Sequence, residues 1–224
     1  MLSELPKTKL NSLASEIITE SKKHNLTGYS ETNNFFNEQI DDCIEAYRVC
    51  EKLLGKRIID VGSGAGIPGL VWAIISGREV WNIDSNRKKV KFQNEFISKH
   101  EILNATAEHS RLENIKILTS DTLVCKAFSS IVKTLQLIKK KQPKNILFLK
   151  KNDEKTNLEI LEAKPLLYHY KTYPYKSNLG EMCVVEAYDS KNCNNQPKGR
   201  SWKNNHSRKY CRLTSQGKAQ SFVD

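Results

Sequence analysis

Asp60, Gly62, Gly64, Gly66, Pro68-Gly69 and Asp84 are the residues whose types and spacing could do chemistry in this chain. Three glycines at alternate positions after an acid allow positive φ and let backbone approach a ligand closely, which leaves room for an adenosine-type molecule above a strand end. Pro68 lacks an N–H and has a fixed φ, so it fits near a helix start, where that donor would be unpaired anyway. Asp84 lies 22 residues beyond Gly62. In a βαβ unit that spacing puts a carboxylate at the tip of the second strand, where it can accept hydrogen bonds from both ribose hydroxyls.

The flanks make the loop specific. Residues 58–61 form a short apolar β-type run, 70–75 an apolar helix-compatible run, and 78–83 a second strand that ends in Asp84. A dinucleotide needs an uninterrupted helix N-terminus for its pyrophosphate, whereas here Asp60 precedes the glycines and Pro68-Gly69 follows. An acidic strand end repels phosphate and suits a ligand carrying positive charge. S-adenosylmethionine, with its sulfonium and ammonium groups, is such a ligand.

The string Asp60-Val61-Gly62-Ser63-Gly64-Ala65-Gly66 resembles the first motif of class I S-adenosylmethionine-dependent methyltransferases. The longer pattern through Ile67-Pro68-Gly69-Leu70, with Asp84-Ser85-Asn86-Arg87-Lys88-Lys89-Val90 and Ser110-Arg111-Leu112-Glu113, is similar to the bacterial ribosomal RNA small subunit methyltransferase G family, also called glucose-inhibited division protein B. Asn25-Leu26-Thr27, Lys126-Ala127-Phe128-Ser129-Ser130 and Leu149-Lys150 extend the likeness over roughly residues 10–188. The resemblance implies methyl transfer from S-adenosylmethionine to N7 of a guanine in the decoding region of small-subunit (16S) ribosomal RNA. It matches Gly62, Ile67, Leu112, Glu113 and Lys126 to cofactor-contacting positions, beside Asp60, Gly64 and Asp84 from the loop reading. Lys150 and Arg111 are the candidate substrate contacts, and no catalytic acid or base is assigned.

Three segments depart from the family pattern. Lys126 stands where members usually have arginine, Glu38-Gln39 where the cap normally carries Arg-His ahead of Asp-Ser, and Glu181-Met182 where Glu-Arg is usual. A lysine keeps the charge of an arginine and loses its planar fork. Two alternatives therefore stand beside the active enzyme: a degenerate homologue that binds cofactor without turnover, and a non-catalytic basic RNA-binding protein.

The elements that must position these residues follow from periodicity. Leu10, Leu13, Ala14, Ile17 and Ile18 recur at three- and four-residue steps, which predicts a helix over 7–23; a second helical region runs from about 34 to 54. These form an N-terminal helical cap (1–55). An α/β core of Rossmann-like type (56–190) follows, with a mixed, mostly parallel sheet: strands at 58–61, 78–83, 104–108, 122–126 and 146–150, helices at 66–76, 86–100 and 131–141, and an antiparallel pair, 166–173 and 182–188, joined by 174–180. Residues 115–118 could be helical or extended.

The 224 residues carry a net charge of +11, which points to a polyanionic partner. Residues 191–224 hold five lysines and three arginines against one aspartate, a net +7 that leaves +4 for the other 190. This polar, aperiodic tail has too little apolar surface to offset the entropy of ordering and is expected to be disordered. It reads either as an RNA-gripping arm or as an accidental extension. The six cysteines are scattered without a Cys-x-x-Cys pair, so reduced thiols and no metal site are expected. With no long apolar run and no secretion signal, the expectation is a cytoplasmic protein, off the membrane and monomeric, that acts on small-subunit ribosomal RNA or the small subunit.

Overall fold

The computed structural model describes residues 4–24, 26–138, 141 and 143–189; the tail at 191–224, with its expected disorder, lies outside the described residues. Among the described residues seven strands form one sheet: β1 (Arg57–Val61), β2 (Glu79–Asp84), β3 (Ala105–His109), β4 (Asp121–Lys126), β5 (Asn145–Lys151), β6 (Leu167–Ser177) and β7 (Gly180–Asp189). Their order is β3-β2-β1-β4-β5-β7-β6. The first five run parallel, and β7 is antiparallel to both β5 and β6. Strand order reverses between β1 and β4, and ligands of such sheets bind beyond the carboxyl ends at that point.

Helices cover both faces. α1 (Glu4–His24) buries Leu10, Leu13, Ala14 and Ile17, the stripe its spacing predicts. The second helical region is not one regular helix. It consists of a single turn α2 (Thr32–Phe35), a π-helical turn Phe36–Ile40, α3 (Asp41–Cys50) and a 3-10 turn Glu51–Leu53. α4 (Gly69–Ser76) and α5 (Arg87–Lys99) pack with the cap on one apolar cluster, which includes Ile58, Val80, Val124 and Leu147. The alternate strand residues Ile59, Val61, Ile83, Cys125 and Phe148 point to the opposite face, where α6 (Ile131–Leu137) lies and α7 (Glu154–Ala163) contributes Ile160 and Ala163 to a second cluster. Trp72, fully buried on α4, donates its indole N–H to the Cys43 carbonyl at 2.8 Å and so ties cap to core.

Several predicted elements need correction. α4 starts at Gly69 rather than 66, because residues 63–68 are used up by the turn. Residues 115–118 are neither helix nor strand. α7 was not anticipated: its buried side is only Thr156, Ile160 and Ala163, too sparse an apolar stripe to stand out, although Asp153 caps it by accepting from Thr156 N–H at 2.9 Å. Pro174, placed in the connection, instead lies inside β6 opposite Cys183. β6 is an edge strand, and a proline without an N–H is tolerated there.

Candidate active site

The turn after β1 is built from its glycines. Gly62, Gly64 and Gly66 have φ of +69°, +60° and +92°, the left-handed region that other residues avoid. Gly62 and Ser63 donate their N–H groups to the Ile83 carbonyl at 2.8 and 3.1 Å, which moors the loop to the end of β2. Asp84 completes the mooring: Oδ2 accepts from Gly64 N–H at 2.8 Å and Oδ1 from Asn86 N–H at 2.7 Å. An ionised carboxylate has about four acceptor positions, so two remain at this barely exposed group.

Asp60 lies deeper on the same face of the sheet. It pairs in register with Asn82 on the α4 side of the sheet, and both are buried. Asp60 Oδ2 accepts from Gly69 N–H at 2.8 Å, while Oδ1 and both amide atoms of Asn82 have no partner. Burial, reinforced by the nearby Asp84 charge and opposed by Gly69 N–H and Lys126, pushes the Asp60 carboxyl up to about 7. Gly69 is required by space: a Cβ there would sit 1.9 Å from Asn82 Oδ1. Under the loop, Gln93 on α5 donates its amide to Ser63 Oγ and to the Gly64 carbonyl, each at 2.9 Å.

The other predicted site residues divide. The turn from β3 to β4 is fastened by Ser110 N–H to the Asp84 carbonyl at 3.1 Å, which leaves Arg111 and Glu113 exposed beside the loop. Leu112 is buried in the second apolar cluster, under the strand ends, and Ile67 is half-buried against the first. Lys126, the last residue of β4, shares the Asp60 face. Its ammonium lies 2.8 Å from Asp42 Oδ2 and donates to Cys43 Sγ at 3.5 Å. Burial disfavours that charge, but Cys43 and the Asp42 carboxylate outweigh it and raise the pKa of Lys126. Lys150 is on the opposite face of the sheet, paired with Glu159 of α7 at 2.8 Å. The structure thus gathers Asp60, the glycines, Ile67, Asp84, Glu113 and Lys126 at one end of the sheet, and commits both lysines to carboxylates.

The cap supplies groups that the sequence reading did not single out as a site. Asp42, fully buried, also accepts at Oδ1 from Tyr175 hydroxyl (3.0 Å) and Ser177 hydroxyl (3.1 Å) of β6. Tyr29 hydroxyl donates to Glu38 Oε2 at 2.6 Å and accepts from Gln39 Nε2 at 3.0 Å. Gln93 and Asn82 had a legible signal, since each is a polar residue at an apolar position of its helix or strand. The four described cysteines, Cys43, Cys50, Cys125 and Cys183, are buried free thiols, and burial pushes Cys43 and Cys50 up to about 12.

A family model described as rRNA small subunit methyltransferase G matches residues 6–182. Relatives named ribosomal RNA small subunit methyltransferase G include one from Brachyspira hyodysenteriae, 31% identical over 174 residues, with 72% of this chain and 79% of that protein covered. Another, from Clostridium perfringens strain 13, is 39% identical over 95 residues, covering 42% of this chain; the chain spans only 40% of that relative's length. Among solved structures, an S-adenosylmethionine-dependent methyltransferase from Aquifex aeolicus superposes with a TM-score of 0.52 at 16% identity, covering 76% of this chain and 98% of that one. An O-methyltransferase from Bacillus cereus gives 0.54 at 13%, covering 80% and 90%. The solved structures speak for the fold. The family match extends from the cap through the glycine loop into β7, and the chain belongs to the rRNA small subunit methyltransferase G family.

Proposed function

We propose that the protein is a methyltransferase that uses S-adenosylmethionine to methylate N7 of a guanine in the decoding region of small-subunit ribosomal RNA, acting as a cytoplasmic monomer. Among the described residues no helix is long and apolar enough to cross a membrane. The observation that carries the reading is the moored glycine loop between two carboxylates, Asp60 and Asp84. The residues fit such a cofactor. Asp84 keeps acceptor positions for ribose hydroxyls, and the unpartnered Asp60 Oδ1 favours a cationic neighbour over a phosphate, with the Asn82 amide adding an unpaired donor and acceptor beside it. Gly62 and Gly64 let backbone approach it, Ile67 offers apolar surface, Leu112 packs beneath the strand ends, and Glu113 stands at the rim.

When bound, the cofactor supplies an electrophilic methyl group on sulfur. Guanine N7 has a lone pair and no proton, so the chain need provide no general base, and its work is orientation and electrostatics. The loop fixes the donor side, while the cap, fastened through Asp42 and Lys126, bounds the acceptor side. Arg111, exposed and without an ion-pair partner among the described residues, is the readier RNA contact; Lys150 must first leave Glu159. The test is incubation with labelled cofactor and small subunits that lack the modification, followed by mapping of N7-methylguanine. Labelled N7-methylguanine in the decoding region is expected, and Asp84→Ala should weaken cofactor binding in titration. No transfer to subunits or to naked RNA by protein that binds cofactor would refute the catalytic reading.

A further inference from the structure

Glu38 is out of place for a protein that handles RNA: a carboxylate near a phosphate backbone is repelled unless it makes specific hydrogen bonds. Its position is well defined. It accepts from the Tyr29 hydroxyl, and that hydroxyl is near enough to Lys126 to feel its charge. Lys126 is the last residue of β4, so Glu38 stands on the cap near the strand ends. The cap is held there by Trp72 to the Cys43 carbonyl, and by Asn178 of the β6–β7 turn donating to the Asn37 carbonyl at 2.9 Å.

The local backbone is unusual in a useful way. Adjacent residues of a regular α-helix point in different directions, yet Glu38 and Gln39 both reach the Tyr29 hydroxyl. They do so from the π-helical turn Phe36–Ile40, a type of irregularity that recurs at functional sites. Gln39 donates to the hydroxyl and the hydroxyl donates to Glu38, so the carboxylate is aimed by a relay. Burial and the Glu38 charge raise the Tyr29 pKa, which keeps that donor protonated. Half-exposed Glu38 has no ion-pair partner among the described residues, and its Oε1 is unused.

We propose that Glu38 reads the target base, accepting hydrogen bonds from guanine N1–H and the 2-amino group. This inference rests on the function proposed above. Those two donors are adjacent on the Watson–Crick edge, and N7 lies on the other side of the base, left free for the methyl group. Adenine presents an acceptor at N1 and no 2-amino group, so it leaves the carboxylate unsatisfied. Methylation puts positive charge on the purine and makes N1–H a stronger donor, so the contact strengthens as the reaction proceeds. Gln39 and Tyr29 are positioning residues. An arginine at 38 could not accept from guanine at all.

The experiment compares small subunits reconstituted with guanosine or inosine at the target position; inosine lacks only the 2-amino group. Wild-type protein is expected to favour guanosine by about tenfold or more in kcat/KM, and in affinity measured with S-adenosylhomocysteine present, as for loss of a hydrogen bond to a charged group. Glu38→Gln is expected to lose about tenfold or more on guanosine and to shrink the guanosine-to-inosine ratio towards one, with cofactor affinity and unfolding midpoint unchanged. A ratio that survives in Glu38→Gln overturns the assignment. Absence of transfer by the wild-type protein to guanosine subunits overturns the function itself, a separate outcome.

Discussion

Gly62→Ala is the sharpest test of how the cofactor loop is built. A Cβ on Gly62 would lie 2.3 Å from Phe128 Cδ2 and 3.1 Å from Cγ, inside the ring that follows β4. The backbone at +69° adds about 1–2 kcal/mol of strain for any side chain. Displacing Phe128, which packs on the second apolar cluster, adds about 1–3 kcal/mol as overpacking. Together the loss is about 2–5 kcal/mol. Gly64→Ala is the control, because φ is a similar +60° and the nearest atom to its Cβ is the Gly62 carbonyl oxygen at 3.9 Å. It should cost only the strain. Phe128→Ala supplies the third corner: combined with Gly62→Ala it removes the clash, so the double variant should be more stable than additivity predicts by about the ring's 1–3 kcal/mol. Urea unfolding of the four variants measures this directly. Equal destabilisation by Gly62→Ala and Gly64→Ala, or strict additivity with Phe128→Ala, would refute the steric account.

Asp60→Asn should change how stability depends on pH. The carboxyl holds its proton to about 7 in the folded chain but only to the usual range near 4 when unfolded, so the folded state binds more protons between these values and loses stability as pH rises. The variant should lack that loss, up to about 1.4 kcal/mol per pH unit, in unfolding curves at pH 4.5 and 6.5; parallel curves would contradict it. Asp42→Asn leaves the buried Lys126 ammonium without its counter-charge and should cost about 3–5 kcal/mol in urea unfolding. Adding Lys126→Met to Asp42→Asn should recover much of that cost, because the amide oxygen still accepts from Tyr175 and Ser177 and no charge is left buried; a double variant as unstable as the single would show that the buried charge is not the cause. Asp84→Ala should release both the Gly64 and Asn86 N–H groups, which faster amide exchange at these two positions would report.

The loop, its strand and the acid at the end of β2 were readable because their chemistry is local: positive-φ glycines and a carboxylate at fixed spacing need no distant partner. The parallel core was readable for the same reason, as β1, β2, β4 and β5 are short, mostly apolar runs bounded by turns. What escaped depends on contacts between remote segments. Lys126 carries a charge whose use cannot be known until Asp42, 84 residues earlier, is seen to meet it. Which face of the sheet Lys150 occupies depends on the register of β5, and its engagement on α7, an element with a weak apolar stripe. Pro174 signals a break in sequence, and only the position of β6 at the sheet edge makes it harmless.

The order β5-β7-β6 has a consequence for how the chain comes to be folded during synthesis. Among the described residues β7 is the last strand to leave the ribosome, yet it is an interior strand, with Cys183, Val184, Val185 and Ala187 almost fully buried. Until it arrives, β5 presents an open edge and β6 has nothing to pair with, both invitations to aggregate. Nascent chains stalled before residue 180 should therefore depend on chaperones, and those released beyond 189 should not. The sheet is complete only once β7 is in place, and β6 then holds the cap through Tyr175 and Ser177 on Asp42.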